Sequence, residues 1–271
     1  MMNKIHLENK KYWDAAAKLW AKGADSRGTW KRCSQEPHLV LCDKELEYLS
    51  DVCGKRVCVL GSGDNEVVFA LAGLGSVVTS VDISQNQLDI AEERAKELGF
   101  SISFVQADVT DLSTFECGCF DVVYTGGHVV VWVTDLQTYY LEAVRILKPG
   151  GLLIVNEYHP FRRIWKESQD TLIVESSYFK RGPFEYDLSE DILGKKPGAL
   201  KSYEFHWTVG DYISAVMKTD CHLLLIHEHG EEVADWEGAP LQGLPEFLLI
   251  IARKNVEQSA GADSEDVAAQ L

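Results

Sequence analysis

Two glycines, Gly61 and Gly63, close the apolar run Val57-Cys58-Val59-Leu60, and Asp64 follows them. A second apolar run ends at Asp82 and a third at Asp108. Glycine permits a sharp turn and a close approach of backbone to ligand. A carboxylate at the end of the following strand can accept hydrogen bonds from both ribose hydroxyls of an adenosine. One at the end of the third strand can reach an adenine amino group. The phosphate-binding form of such a turn needs Gly or Ala at its sixth position, and Glu66 stands there. Asp64 and Glu66 would sit at the helix N-terminus where a pyrophosphate binds, and would repel it. The turn therefore suits an adenosine ligand with cationic groups and no phosphate. S-adenosylmethionine, with its sulfonium and ammonium, has that character.

These residues need a scaffold. Short apolar runs at Arg56–Leu60, Val77–Val81, 102–106, Phe120–Tyr124 and Leu152–Glu157 read as strands. Between them, Glu66–Leu74, 84–98 and 135–147 have helical spacing, with Ser84 as an N-cap, Gly99 as a stop and Lys148-Pro149-Gly150-Gly151 as a closing turn. Strands alternating with helices predict a parallel sheet with right-handed crossovers. Ligands bind such sheets at the carboxyl ends of the strands. The candidate site is therefore Gly61–Asp64, Asp82-Ile83, Asp108-Val109, 125–128 and 157–160.

The flanks read differently. Residues 3–22 and 38–51 predict two helices, and 1–50 is expected to be a helical cap or lid over the core at 51–160. Residues 161–205 predict an inserted hairpin or lid, with alternating stretches at 171–178 and 201–205 around a Gly-, Pro- and charge-rich loop at 182–198. A helix at 208–219 and strands at 222–227 and 247–253 would complete the core sheet within 206–254, leaving 255–271 as a disordered tail.

Composition bounds the function. The chain has 271 residues, 46% hydrophobic and 25% charged, enough for a full core without a metal or disulfide staple. The net charge is −16, and basic residues cluster only as pairs such as Lys10-Lys11 and Arg162-Arg163. No nucleic-acid partner is expected, because that affinity comes largely from phosphate neutralisation. Seven cysteines without a CxxC pair predict reduced thiols in a cytoplasmic protein and no metal site. No apolar run approaches the roughly 18 residues that span a bilayer. A monomer or homodimer is expected.

The segments VLGSGD (59–64), VDIS (81–84), QADVTDL (106–112), FDVVYTGGHVVVWVTD (120–135) and EAVRILKPGG (142–151), in this order, resemble the class I S-adenosylmethionine-dependent methyltransferases. Val59 stands where that family usually has an acidic residue, and Asn65 where a third glycine is common. The resemblance implies a seven-stranded, Rossmann-like, mostly parallel sheet with an antiparallel last strand and helices on both faces. It implies that Gly61 and Gly63 line the cofactor. With Val59 in place of the family's acid, Asp64 is expected to take over part of the hold on the methionine end. Asp82 would hold the ribose and Ile83 would flank the adenine. Asp108 and the Val109 amide would meet the adenine edge, with Thr125 and Gly126 under the sulfonium. The implied activity is methyl transfer to a small molecule by in-line displacement. RNA or protein methylation, a non-catalytic cofactor-binding module and a nicotinamide oxidoreductase are the alternatives, the last disfavoured by Glu66.

A general base is needed only if the acceptor keeps its proton at neutral pH. His128 and His159, both after strand ends, are the candidates, each with a structural hydrogen bond as the alternative. Tyr12, Trp13, Trp30 and His38 are candidate lid residues, although Trp13 could simply pack its helix onto the sheet. Tyr158 and Arg162 are candidate acceptor contacts, and Arg162-Arg163 either grips a carboxylate or is solvated.

Overall fold

The computed structural model describes residues 2–63, 66–167, 170–230, 232 and 239–256. Seven strands form the main sheet: β1 (Arg56–Leu60), β2 (Val77–Asp82), β3 (Ser103–Gln106), β4 (Phe120–Gly126), β5 (Leu147–Tyr158), β8 (Cys221–His229) and β9 (Phe247–Lys254). Their order is β3-β2-β1-β4-β5-β9-β8. The first five pair in parallel, and β9 runs antiparallel to both β5 and β8. This is the Rossmann-like sheet with an antiparallel last strand that the sequence predicts.

Side chains alternate across each strand, and the alternation divides the core in two. Val57, Val59, Val122, Tyr124 and Ile154 pack on one face, with Phe69 and Leu71 of α3 (Glu66–Gly73) and Ala95 of α4 (Gln85–Leu98). Cys58, Leu60, Val123, Leu153 and Val155 pack on the other. There they meet Tyr139 and Tyr140 of α5 (Leu136–Arg145) and Tyr212 and Val216 of α7 (Val209–Met217). The predicted punctuation of α4 is present: the Ser84 hydroxyl accepts from the Gln87 amide, and Gly99 ends the helix at φ 76°.

Four boundaries differ from expectation. Strand β5 starts at Leu147 and takes in the Lys148–Gly151 stretch expected as a closing turn, and α5 stops at Arg145. Helix α1 runs Lys4–Arg27, past Gly23, because Ala24 is buried and Gly28 at φ 69° supplies the left-handed stop instead. The single helix expected over 38–51 is a 3₁₀ turn at Pro37–Leu39 followed by α2 (Asp43–Tyr48). The Glu45 carboxylate reaches back to the Cys42 amide at 2.8 Å and starts a new helix there. In the insertion, the alternating stretch 171–178 makes only an isolated bridge, Trp165 with Val174. The hairpin is instead β6 (Phe184–Asp187) with β7 (Lys201–Glu204), joined through α6 (Ser189–Leu193). Most of the expected tail, 257–271, lies outside the described residues.

Helix α1 and the hairpin share a small core of their own. Tyr12 and Ala16 bury against Leu200, with Trp13, Trp132, Leu188 and Ile192 around them. The Asn9 side chain joins the backbone of β7, accepting from the Tyr203 amide at 2.8 Å and donating to the Tyr203 carbonyl at 2.9 Å. Together they roof the carboxyl edge of the sheet.

Candidate active site

A cleft of about 710 Å³ lies at the carboxyl ends of β1, β2 and β4, under that roof. Gly61, Gly63, Asp82, Ile83, Asp108 and Val109 line it, as do Tyr12, Trp13, His128 and Tyr158. Gly61 has φ 61°, and a Cβ there would stand 2.4 Å from a Val129 methyl, so the Val129 side chain packs directly on the bare backbone of the turn. The Gly63 amide donates to Asp82 Oδ2 at 2.8 Å, and the Ser84 amide to Asp82 Oδ1 at 2.7 Å. A Cβ on Gly63 would lie 3.9 Å from both Asp82 Oδ2 and Gln87 Oε1. Gln87 is 3% exposed, and its Oε1 has no hydrogen-bond partner among the described residues. Two acceptor oxygens thus flank one glycine turn, the arrangement a ribose diol fits. Asp64 lies outside the described residues.

Asp108 has a partner that the sequence reading did not include. His6 Nδ1 is 2.7 Å from Asp108 Oδ2, and the Thr134 amide donates to His6 Nε2 at 3.0 Å. With Nε2 accepting, the ring proton lies on Nδ1 and is donated to the carboxylate. The other oxygen of Asp108 accepts from the Thr110 amide and hydroxyl. Burial opposes the charged carboxylate, but the His6 and Thr110 hydrogen bonds prevail and hold Asp108 below its ordinary pKa.

His128 adopts φ 88°, a conformation that non-glycine residues seldom take. Its amide and that of Val129 both donate to Glu157 Oε2, at 2.9 and 3.0 Å, which pins the turn. The imidazole packs edge-on to Trp132 and Tyr158, with Nδ1 3.4 Å from the Arg163 guanidinium. Burial, then the charge of Arg163, then His206, push its pKa well below the usual histidine value, so the ring is neutral. Burial also raises Glu157 to about 8, against the pull of the two amides.

Other expected residues lie elsewhere. Thr125 is buried in the sheet with its hydroxyl on Tyr139, and a Cβ on Gly126 would meet the Asn156 carbonyl at 2.3 Å. The cleft is lined instead by the next two residues, Gly127 and His128. His159 is fully buried; its Nε2 contacts Glu228 at 2.7 Å and its Nδ1 accepts from the Phe161 amide. Trp30 is packed against Phe69 beneath the Arg94 guanidinium, and His38 is exposed on the 3₁₀ turn. Arg162 is buried beside the Pro245 and Leu244 carbonyls; its neighbour Arg163 enters the cleft and pairs with Glu204 at 3.0 Å.

His6, Asn9, Gln87, Ser202 and Glu204 line the cleft without having been singled out. A signal existed for two of them. His6 and Asn9 continue, at helical spacing, the face that carries Tyr12, Trp13 and Ala16. Among the described residues, no group of three or more His, Cys, Asp or Glu could hold a metal ion.

Residues 58–155 match the family described as "Methyltransferase domain". A ubiquinone biosynthesis O-methyltransferase of Vibrio atlanticus is 30% identical over 144 residues, which are 53% of this chain and 58% of that protein. A demethylmenaquinone methyltransferase of Lactococcus lactis is 33% identical over 130 residues, 46% of this chain and 51% of the relative. The matches thus span little more than half the length of these curated relatives. A crystal structure of an S-adenosylmethionine-dependent methyltransferase from Mesorhizobium loti superposes with a TM-score of 0.59. It has 23% identity and covers 75% of this chain and 93% of that one. Residues 58–155 are thus similar to a methyltransferase domain, and the fold is the one seen in the Mesorhizobium loti S-adenosylmethionine-dependent methyltransferase.

Proposed function

We propose that the protein is an S-adenosylmethionine-dependent methyltransferase acting on a small-molecule acceptor. The observation that carries this reading is the Gly63 turn flanked by Asp82 Oδ2 and by Gln87 Oε1, which has no hydrogen-bond partner among the described residues. These oxygens would accept from the ribose hydroxyls, Ile83 would flank the adenine, and Asp108 and the Val109 amide would stand at its edge. When bound, the cofactor supplies a methyl group already activated by its sulfonium and delivered by in-line displacement.

The chain's own task is then positioning, which can lower a barrier by about 7–11 kcal/mol when the geometry is right. The roof of α1 and the hairpin covers one side of the cleft. Glu157 holds the strained His128 turn, and Arg163 fixes the imidazole by donating to Nδ1. The ring proton then sits on Nε2, which makes neutral His128 a hydrogen-bond donor to the acceptor rather than a base. The names of the curated relatives, a ubiquinone biosynthesis O-methyltransferase and a demethylmenaquinone methyltransferase, favour a small acceptor. Among the described residues no helix is long and apolar enough to cross a membrane.

The test is isothermal titration with S-adenosylmethionine, its demethylated product and NADH, on the wild type and Asp82→Ala. Micromolar binding of the first two, lost in the variant, is expected. Binding of NADH alone, or of none of them, would overturn the reading.

A further inference from the structure

Besides the glycine turn, the cleft has flat aromatic walls and a polar edge. Trp13, Trp132, Tyr158 and Tyr186 line the cleft, with Trp13 perpendicular to Trp132. Such walls select planar, largely apolar ligands. The polar edge belongs to β7. Ser202 and Glu204 sit two residues apart and share one face of the strand, both buried and both lining the cleft. The Asn9 clamp on the Tyr203 backbone between them, and the Phe205 amide on the Val131 carbonyl at 2.7 Å, fix which face that is.

Two features of this edge specify a ligand. Ser202 is 1% exposed, and its hydroxyl has no hydrogen-bond partner among the described residues. A buried polar group in that state costs stability until something bonds to it. Oε2 of Glu204 meets the Arg163 guanidinium at 3.0 Å and has His206 Nε2 at 3.4 Å, so the carboxylate and the guanidinium offset each other and Oε2 is occupied. An anionic ligand would meet a cation already neutralised, and a cationic ligand an anion already neutralised. An uncharged group that both donates and accepts can use the Ser202 hydroxyl and the spare acceptor capacity of Glu204.

We infer that Ser202 and Glu204, steadied by Arg163 and Asn9, form the acceptor-recognition edge of the cleft, and that the acceptor is an uncharged planar aromatic compound bearing a hydroxyl. This rests on the cleft being the methyltransferase active site. It assigns the hairpin the discrimination of substrate.

The test compares three probes of one shape by titration calorimetry: 2-naphthol, naphthalene and 2-naphthoate. Each is run on free protein and on protein loaded with S-adenosylhomocysteine. The expected order is 2-naphthol tightest. Ser202→Ala should weaken 2-naphthol about fivefold, the worth of one hydrogen bond, and leave naphthalene unchanged, which also reports that the variant is folded. Absent binding of 2-naphthol, tighter binding of 2-naphthoate, or equal 2-naphthol affinity in Ser202→Ala would overturn the inference. Failure of S-adenosylhomocysteine to bind wild type would instead sink the methyltransferase reading, while the naphthol comparison on free protein still judges the edge.

Discussion

His6→Ala removes the bolt between the roof and the sheet. The wild-type ring joins Asp108 at 2.7 Å and the Thr134 amide at 3.0 Å, with both side chains of the His6–Asp108 pair under a tenth exposed. A hydrogen bond to a charged group contributes about 1.5–3 kcal/mol, and the part-buried Thr134 amide left without its acceptor costs up to roughly 1 kcal/mol more. The expected loss is about 2–4 kcal/mol, or a Tm lower by roughly 5–12 °C for a chain of this size. The pH dependence has a definite sign. The folded pKa of Asp108 is depressed, so its contribution is present above the ordinary carboxylate value and is lost as pH falls through the folded one. The Tm gap between wild type and variant should therefore narrow as pH falls from 7 to 3. Calorimetric melts across that range measure it, with Lys11→Ala as a control, because the Lys11–Glu8 pair is exposed. If His6→Ala melts within a degree of the control at pH 7, or the gap is unchanged at pH 3, the bolt is not what holds α1 down.

Glu157→Gln should behave in the opposite sense. The raised carboxyl costs stability increasingly as pH rises from the ordinary glutamate value to about 8, so the variant should gain about 2–5 kcal/mol on wild type between pH 5 and 8.5. Urea melts at the two pH values read this directly, and an equal difference at both would refute it. Gly73→Ala would place a Cβ 1.9 Å from the Ser34 carbonyl oxygen. A loss of about 3 kcal/mol or failure to fold is expected, seen by circular dichroism. Native alkylation followed by mass spectrometry should label exposed Cys53 and Cys117, and spare Cys58 and Cys33, whose thiol burial pushes up to about 12. Early labelling of Cys33 would contradict that burial.

Much of the core could be read from the chain alone. Val57, Val59, Cys58 and Leu60 announce a strand buried on both faces, and the turn at Gly61 and Gly63 follows directly. Asp82 and Asp108 end strands, and the carboxyl-edge rule then places them at one cleft. Ser84 and Gly99 mark a helix by local chemistry. These features are set by backbone geometry over a few residues, which sequence spacing records.

What spacing does not record is which distant surfaces meet. Nothing near Asp108 in sequence says that His6 takes its Oδ2, nor that Asn9 fixes the register of β7. Arg163 rather than Arg162 enters the cleft because the 3₁₀ turn at Pro160–Arg163 sends one guanidinium inward beside Leu244 and Pro245 and the other to Glu204. His128 and His159 look alike as histidines after strand ends. One lines the cleft on a strained turn held by Glu157, and the other is sealed beneath Phe161 beside Glu228. The sequence by itself determined the sheet, the glycine turn and its two acids, because local periodicity and strand-end chemistry suffice for these. Only the tertiary structure decided the roof and the acceptor edge, because they arise where α1 and the hairpin, far apart in the chain, bury their apolar faces on each other.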